Sequence, residues 1–154
     1  DYHGGSLRSV AIKNISKKYA QKYKSINFNK YNKIYNLTFF KKMMNKINKK
    51  KFLFMKKIHS LKANGYVICG IGAGAKANTF LTYYSLNNRL VKFLTDTSKF
   101  KQNKFTPLTR ILIKDDTEIK KYKKIACILL SWNISSLVIK KIKQLNKNIK
   151  ILHT

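Results

Sequence analysis

The stretch Gly70-Ile71-Gly72-Ala73-Gly74-Ala75-Lys76-Ala77-Asn78 lies between a short apolar run, Tyr66-Val67-Ile68-Cys69, and a segment with helical patterning. Its spacing is that of phosphate chemistry. Glycines let backbone N–H groups close on an anion, and a helix N-terminus adds partial positive charge. The loop fits the dinucleotide fingerprint G-x-G-x-x-G/A in two registers, Gly70-x-Gly72-x-x-Ala75 and Gly72-x-Gly74-x-x-Ala77. A tight strand-to-helix turn with no ligand satisfies the same pattern. Lys76 falls in the first helical turn, where a cation faces a bound phosphate. A solvated lysine also fits in so lysine-rich a chain. Asp96 follows about 20 residues on, where an acid could bond a ribose hydroxyl.

These residues need strands and helices to position them. Leu7–Ile12 alternates loosely and reads as a short strand. Ser16–Asn36 is polar and lysine-rich with a thin apolar stripe, a linker or a helix laid on another surface. Thr38–Asn64 is the clearest helix, with Phe39, Phe40, Met43, Met44, Ile47, Phe54, Ile58 and Leu61 near one face. Thr38 is its expected N-cap and Asn64-Gly65 its stop. A helix of this basic amphipathic kind faces a core, a neighbouring domain or a membrane surface.

From there strands and helices alternate. Strands are expected at Tyr66–Ile71, Val91–Thr95, Ile111–Ile113, Ile125–Ser131 and Asn148–Leu152. Helices are expected at Lys76–Leu86, at Asp116–Tyr122 and at Ser135–Leu145, the last with Leu137, Val138, Ile142 and Leu145 inward. Buried strands joined by helices mean an α/β fold with a Rossmann-like, doubly wound parallel sheet. The leading strand and the long basic helix precede it. The long loop Thr97–Arg110, holding Pro107, the chain's one proline, lies where ligands bind in this architecture.

The chain has 154 residues, with 34 Lys+Arg against 5 Asp+Glu, a formal +29. That charge invites a nucleic-acid reading. Two features oppose it. Only Arg8, Arg89 and Arg110 are arginines, whereas phosphate and base recognition recruits arginine for its bidentate fork. Lysine is also accompanied by many Asn, Ile, Tyr and Phe, the set favoured by A+T-rich codons. No apolar run is long enough for a transmembrane helix. Cys69 and Cys127 sit in apolar runs as buried reduced thiols, which suits a cytoplasmic protein, and no Cys/His cluster has zinc-ligand spacing. The start at Asp1 points to a piece of a longer chain.

A catalytic constellation is not visible. His59 sits on the lysine-rich helix and His153 near the end, so acid–base work falls to His3 or to nothing. Four segments, however, together resemble the C-terminal region of sugar C-methyltransferases, three-domain S-adenosylmethionine enzymes that act on deoxysugar nucleotides. His3-Gly4-Gly5-Ser6-Leu7-Arg8 looks like the family's HGGSLR stretch. Gly70 to Thr79 is similar to its GYGAPAKGNT loop. Asp96-x-Ser98-x-x-Lys101-Gln102-x-Lys104-x-Thr106-Pro107 is similar to its D-x-S-x-x-KQGKxxPG segment. Leu129-Leu130-Ser131-Trp132-Asn133 resembles its LLAWN strand end. Order and spacing agree over nearly the whole chain.

The departures are specific. Gly74 stands where the family has Pro. Asn103 and Leu108 each replace a Gly, and a lost Gly changes a turn that needs positive φ. The family's zinc module, cofactor-binding sheet and catalytic base group have no counterpart here. The resemblance therefore implies a fragment or degenerate copy: residues 1–37 the remnant of a preceding methyltransferase domain with its linker, residues 38–154 the Rossmann-like C-terminal domain.

In the intact enzyme a base removes a proton beside a sugar keto group and the enolate takes the methyl of S-adenosylmethionine. The resemblance assigns this chain the nucleotide-linked deoxysugar and no cofactor of its own. Gly72, Gly74 and Lys76 would hold phosphate, and Asn78 would join them in binding the substrate. Asp96, Lys101 and Gln102 would shape the nucleotide side, and Trp132 and Asn133 would line the crevice. A plain core aromatic is the alternative for Trp132. His3 would stand at the junction with the missing domain. The rival readings are a stand-alone NAD- or nucleotide-binding module, carried by the fingerprint and Asp96, and a lysine-rich nucleic-acid-binding protein, carried by charge.

Overall fold

The computed structural model describes residues 36–153. The expected strand at Leu7–Ile12, the segment before Asn36 and His3 lie outside the described residues. The chain divides into two units, Asp1–Lys49 and Lys50–Thr154.

Helix α1 spans Leu37–Ala63. Its cap is Asn36, not Thr38. The Asn36 Oδ1 accepts from the Thr38 N–H at 2.8 Å, so Thr38 already lies inside the first turn. In the first unit Leu37, Phe39, Phe40 and Met44 are exposed. In the second unit the expected stripe does face a core. Ile58 is fully buried, and Phe54, Met55 and Leu61 pack with it. The helix stops at the expected Gly65, whose φ is 77°. The N–H groups of Gly65 and Tyr66 return to the carbonyls of Lys62 and Leu61, the paired bonds of a Schellman motif.

Five strands follow: β1 Val67–Ile71, β2 Phe93–Thr95, β3 Ile113–Lys114, β4 Ile125–Leu129 and β5 Lys150–Leu152. They form one sheet in the order β3-β2-β1-β4-β5, every neighbouring pair parallel. The expected α/β class and the parallel sheet hold. The ladders are shorter than the apolar runs, because buried residues such as Val91 and Ile111 continue the core beyond the strands.

Helix α2, Ala75–Tyr83, connects β1 to β2, and α3, Ser135–Leu145, connects β4 to β5. The expected Asp116–Tyr122 helix is a 3₁₀ turn over Asp116–Lys121. Asp115 caps it by accepting from the Thr117 N–H at 2.9 Å.

Side chains alternate across the strands, so the sheet has two apolar faces. Ile68, Leu94, Ala126 and Ile128 meet Ala77 and Leu81 of α2 and Ile58 of α1. Cys69, Phe93, Ile125 and Cys127 meet Ile142 of α3 and Ile119 of the 3₁₀ turn. On α3, Ile142 is buried as expected, but Leu137 is 70% exposed. Its position turns it away from the stripe that Val138, Ile142 and Leu145 share.

Cys69 and Cys127 face each other in register between β1 and β4, both buried and free. Burial, and then the hydrogen bond between the two thiols, push the Cys69 thiol well above its ordinary pKa. Such thiols are packing groups rather than nucleophiles.

Candidate functional site

The strand order reverses direction at β1. The chain runs outward through β2 and β3 on one side, then crosses to β4 and β5 on the other. Loops leaving the C-terminal ends of β1 and β4 therefore diverge and leave a crevice, the general position for ligands in open α/β sheets. Gly72-Ala73-Gly74 and Leu130-Ser131-Trp132 are those loops.

Two close approaches explain the glycines. A Cβ on Gly70 would come within 2.5 Å of Leu94 Cδ2 and 2.8 Å of Leu130 Cδ1, so its absence lets those side chains fill the core. Gly72 has φ 95°, and a Cβ there would stand 1.8 Å from Ser131 Oγ. The two crevice loops touch at that point. Gly74 is different: its φ is −89° and a Cβ would meet nothing within 4 Å. The backbone at this position does not need a glycine; compared with the family's Pro, Gly74 adds a backbone N–H at the head of α2.

Backbone donors separate the two fingerprint registers. The Gly72 N–H donates to the Thr95 carbonyl at 2.8 Å, and the Ala73 N–H to Asp96 Oδ2 at 2.9 Å. The N–H groups of Gly74, Ala75 and Lys76, at the head of α2, donate to no acceptor among the described residues. The loop therefore offers its amides in the second register, with Lys76 exposed beside them.

Asp96 is taken up by its own chain. Its carboxylate accepts from the N–H groups of Ala73 and Ser98, each at 2.9 Å, and from Lys101 Nζ at 3.0 Å. Burial alone would raise its pKa. The Ser98 and Ala73 donors and the Lys101 ammonium outweigh that and hold the carboxyl below its ordinary value. Gln102 Nε2 donates to the Asp96 carbonyl at 2.9 Å and to Asp115 Oδ2 at 3.2 Å. Asp96, Lys101 and Gln102 are thus brought together as a clasp that ties the loop after β2 to the glycine loop. The carboxylate that a ribose clamp would need is largely engaged.

Two hollows flank the crevice. On the α3 side a cavity of about 220 Å³ is lined by Gly72, Thr95, Asp96, Asp116, Ser131 and Lys141, with Ile71, Val138 and Ile142 as apolar wall. Asp116 and Lys141 pair across it at 2.6 Å. On the α2 side Lys76, Thr79, Phe80, Tyr83, Tyr84 and Trp132 border an open hollow. There Phe80 and Tyr84 stack at 4.1 Å between ring centroids. Trp132, 39% exposed, is not a core residue.

The expected set is therefore divided. Gly72 and Asp96 line the cavity; Lys76 and Trp132 border the aromatic hollow. Asn78 has a buried Oδ1 with no partner among the described residues. Asn133 is exposed in the 3₁₀ turn Trp132–Ile134. Thr95, Asp116 and Lys141 were not singled out by the sequence. Thr95 reads there as one more strand residue. Asp116 and Lys141 lie 25 apart in sequence, and nothing local announces their pairing.

The loop after β2 has a left-handed backbone at Asn103 and Leu108. Their φ values are 62° and 59°. Both positions keep the left-handed backbone without the residue that adopts it freely. No described helix is long and apolar enough to cross a membrane.

Comparison with protein families matches residues 1–151 to the C-methyltransferase C-terminal domain. The chain belongs to that family. A comparison with curated protein sequences gave no significant match.

Proposed function

We propose that this methyltransferase C-terminal domain binds the diphosphate of a nucleotide-linked deoxysugar at the crevice, and does not itself transfer the methyl group. The observation that carries the reading is the trio of undirected amides at Gly74, Ala75 and Lys76. They sit at the head of α2, beside the Lys76 ammonium and at the switch point of the sheet. Amide donors, helix dipole and ammonium all favour an anion. The Asp96–Lys101–Gln102 clasp supports the reading indirectly, by fixing the glycine loop before a ligand arrives.

S-adenosylmethionine, which the family implies for the intact enzyme, does not fit this loop. Its sulfonium is a cation, and the same donors that attract phosphate repel it. The base and the methyl donor belong to the other domains of the intact enzyme. A nicotinamide reading is weakened because the Asp96 carboxylate already accepts three bonds from its own chain.

The test is a calorimetric titration of dTDP-glucose and UDP-glucose at about 0.15 M salt, where general charge attraction is screened beyond about 8 Å. Sulfate serves as a plain anion control. The expected result is binding well above sulfate, weakened about tenfold by Lys76→Ala, near 1.4 kcal/mol. Sugar nucleotides that bind no better than sulfate would overturn the proposal, as would indifference to the loss of Lys76.

A further inference from the structure

We propose that the end of the sheet opposite the crevice carries a second anion site, a hollow that takes a small phosphomonoester with an apolar body. It uses no residue of the crevice. The hollow, about 350 Å³, lies where the parallel strands begin, with Lys62, Tyr66, Ile68, Asn88, Arg89 and Leu90 among its walls. All six belong to the unit Lys50–Thr154.

The charge here is uncompensated. Asp96, Asp115, Asp116 and Glu118 follow β2 and β3, so no described acid stands at the end where the strands start. The cations around the hollow rest on neutral groups instead. Lys62 Nζ donates to the Arg89 carbonyl, and Lys124 Nζ to the Asn64 carbonyl at 3.5 Å. Lys150 Nζ stands 4.3 Å from the centroid of the Tyr66 ring. None of these three is paired with a carboxylate among the described residues. Lys92 adds little, because its ammonium lies over Tyr122, at 5.5 Å from the ring centroid.

Arg89 separates this place from a general lysine surface. It is one of three arginines in a chain with 34 Lys+Arg. It is exposed, and its guanidinium has no ion pair among the described residues. Its backbone is held: the Arg89 N–H donates to Asn87 Oδ1 at 3.0 Å, and the neighbouring Asn88 N–H to the Thr109 carbonyl at 3.2 Å. A guanidinium offers phosphate a planar two-pronged contact that an ammonium does not. Tyr66, Ile68 and Leu90 supply apolar wall beside it. A phosphate on Arg89 and Lys62, with a carbon ring against that wall, uses both halves of the hollow.

The probe is phenyl phosphate, titrated into the full chain at about 0.15 M salt and followed by amide shifts in ¹⁵N NMR spectra. Inorganic phosphate and benzoate are titrated alongside. The expected result is that phenyl phosphate moves the amides of Asn88, Arg89 and Leu90 and binds there at least fivefold tighter than either comparison anion. Arg89→Gln weakens that binding about tenfold, Arg89→Lys about threefold, and Lys140→Gln, at an exposed lysine on α3, less than twofold. Shifts confined to Ala75 and Lys76 would overturn the inference. So would equal binding of phosphate or benzoate, or equal effects of Arg89→Gln and Lys140→Gln, since diffuse attraction then suffices. Arg89→Gln leaves the crevice intact, so its dTDP-glucose titration stays as in the wild type, and failure at this hollow leaves the diphosphate reading standing.

Discussion

Substituting alanine for Gly72 should destabilise the fold by about 2–4 kcal/mol. Two contributions add. The backbone holds φ at 95°, beyond the left-handed well, and a residue with a Cβ there is strained by about 1–3 kcal/mol. The new Cβ would also lie 1.8 Å from Ser131 Oγ and 3.1 Å from Ser131 Cβ. The Ser131 side chain must rotate away, giving up its 3.4 Å bond to the Ile71 carbonyl and spreading the two crevice loops. That displacement adds about 1 kcal/mol. In a chain of 154 residues the sum lowers Tm by about 5–15 °C. Thermal melts followed by circular dichroism, at one fixed salt concentration, measure it. Gly74→Ala is the control, since its φ is negative and its Cβ space is empty; it should lie within about 0.5 kcal/mol of the wild type. The double change Gly72→Ala with Ser131→Ala should recover the steric part and keep the backbone part. A Gly72→Ala protein as stable as the wild type, or a Gly74→Ala protein equally damaged, would refute the account of how the two loops meet.

Leu108→Gly should stabilise the chain by about 0.5–1 kcal/mol: relief of left-handed strain, about 1–2 kcal/mol, exceeds the added backbone entropy. Leu108 is 83% exposed, so little packing is lost, and Asn103→Gly should gain less because Asn tolerates this region; urea melts that rank Asn103→Gly above Leu108→Gly would contradict this. Asp96→Asn should cost about 2 kcal/mol at neutral pH by removing charge-assisted bonds to Ala73, Ser98 and Lys101. Because the folded pKa of Asp96 is lowered, its stabilisation is present above the unfolded value of about 3.9 and fades as pH falls through the folded value. The stability gap between wild type and Asp96→Asn should therefore hold above about pH 5 and narrow as pH falls below it, and a gap that stays constant to low pH in denaturant melts would show that the clasp is not electrostatic.

The order of elements was legible because it rests on short-range signals. Apolar runs marked β1 and β4, Gly65 marked the end of α1, and i,i+4 spacing set α3 to its observed limits at Ser135 and Leu145. The loss of Gly at Asn103 and Leu108 was expected to change those turns, yet both residues hold a positive φ. What escaped depends on distant partners. Thr38 has the right chemistry for a cap, but a competing Asn36 lies two residues upstream. Leu137 fits a loose apolar face, yet only contact with the sheet decides which of its neighbours turns inward. Asp96 was legible as an acid at a strand end; its donors come from Ala73, 23 residues back, and from Ser98 and Lys101 beyond it. The cavity was invisible for the same reason, since β1, β2, β4 and α3 meet there only after folding.

The scarcity of acids also takes a different meaning once their places are known. Four of the five, Asp96, Asp115, Asp116 and Glu118, fall in the loops that follow β2 and β3. None of the four is a bare surface charge. Asp96 holds the glycine loop, Asp115 caps the 3₁₀ turn, Asp116 pairs with Lys141, and Glu118 pairs with Lys114 and Lys121. In a chain with formal charge +29, local neutrality exists only where such pairs are built. The α3-side cavity, walled by Asp96 and Asp116 with their lysines, is one such place; the head of α2, with Lys76 and the undirected amides, is not.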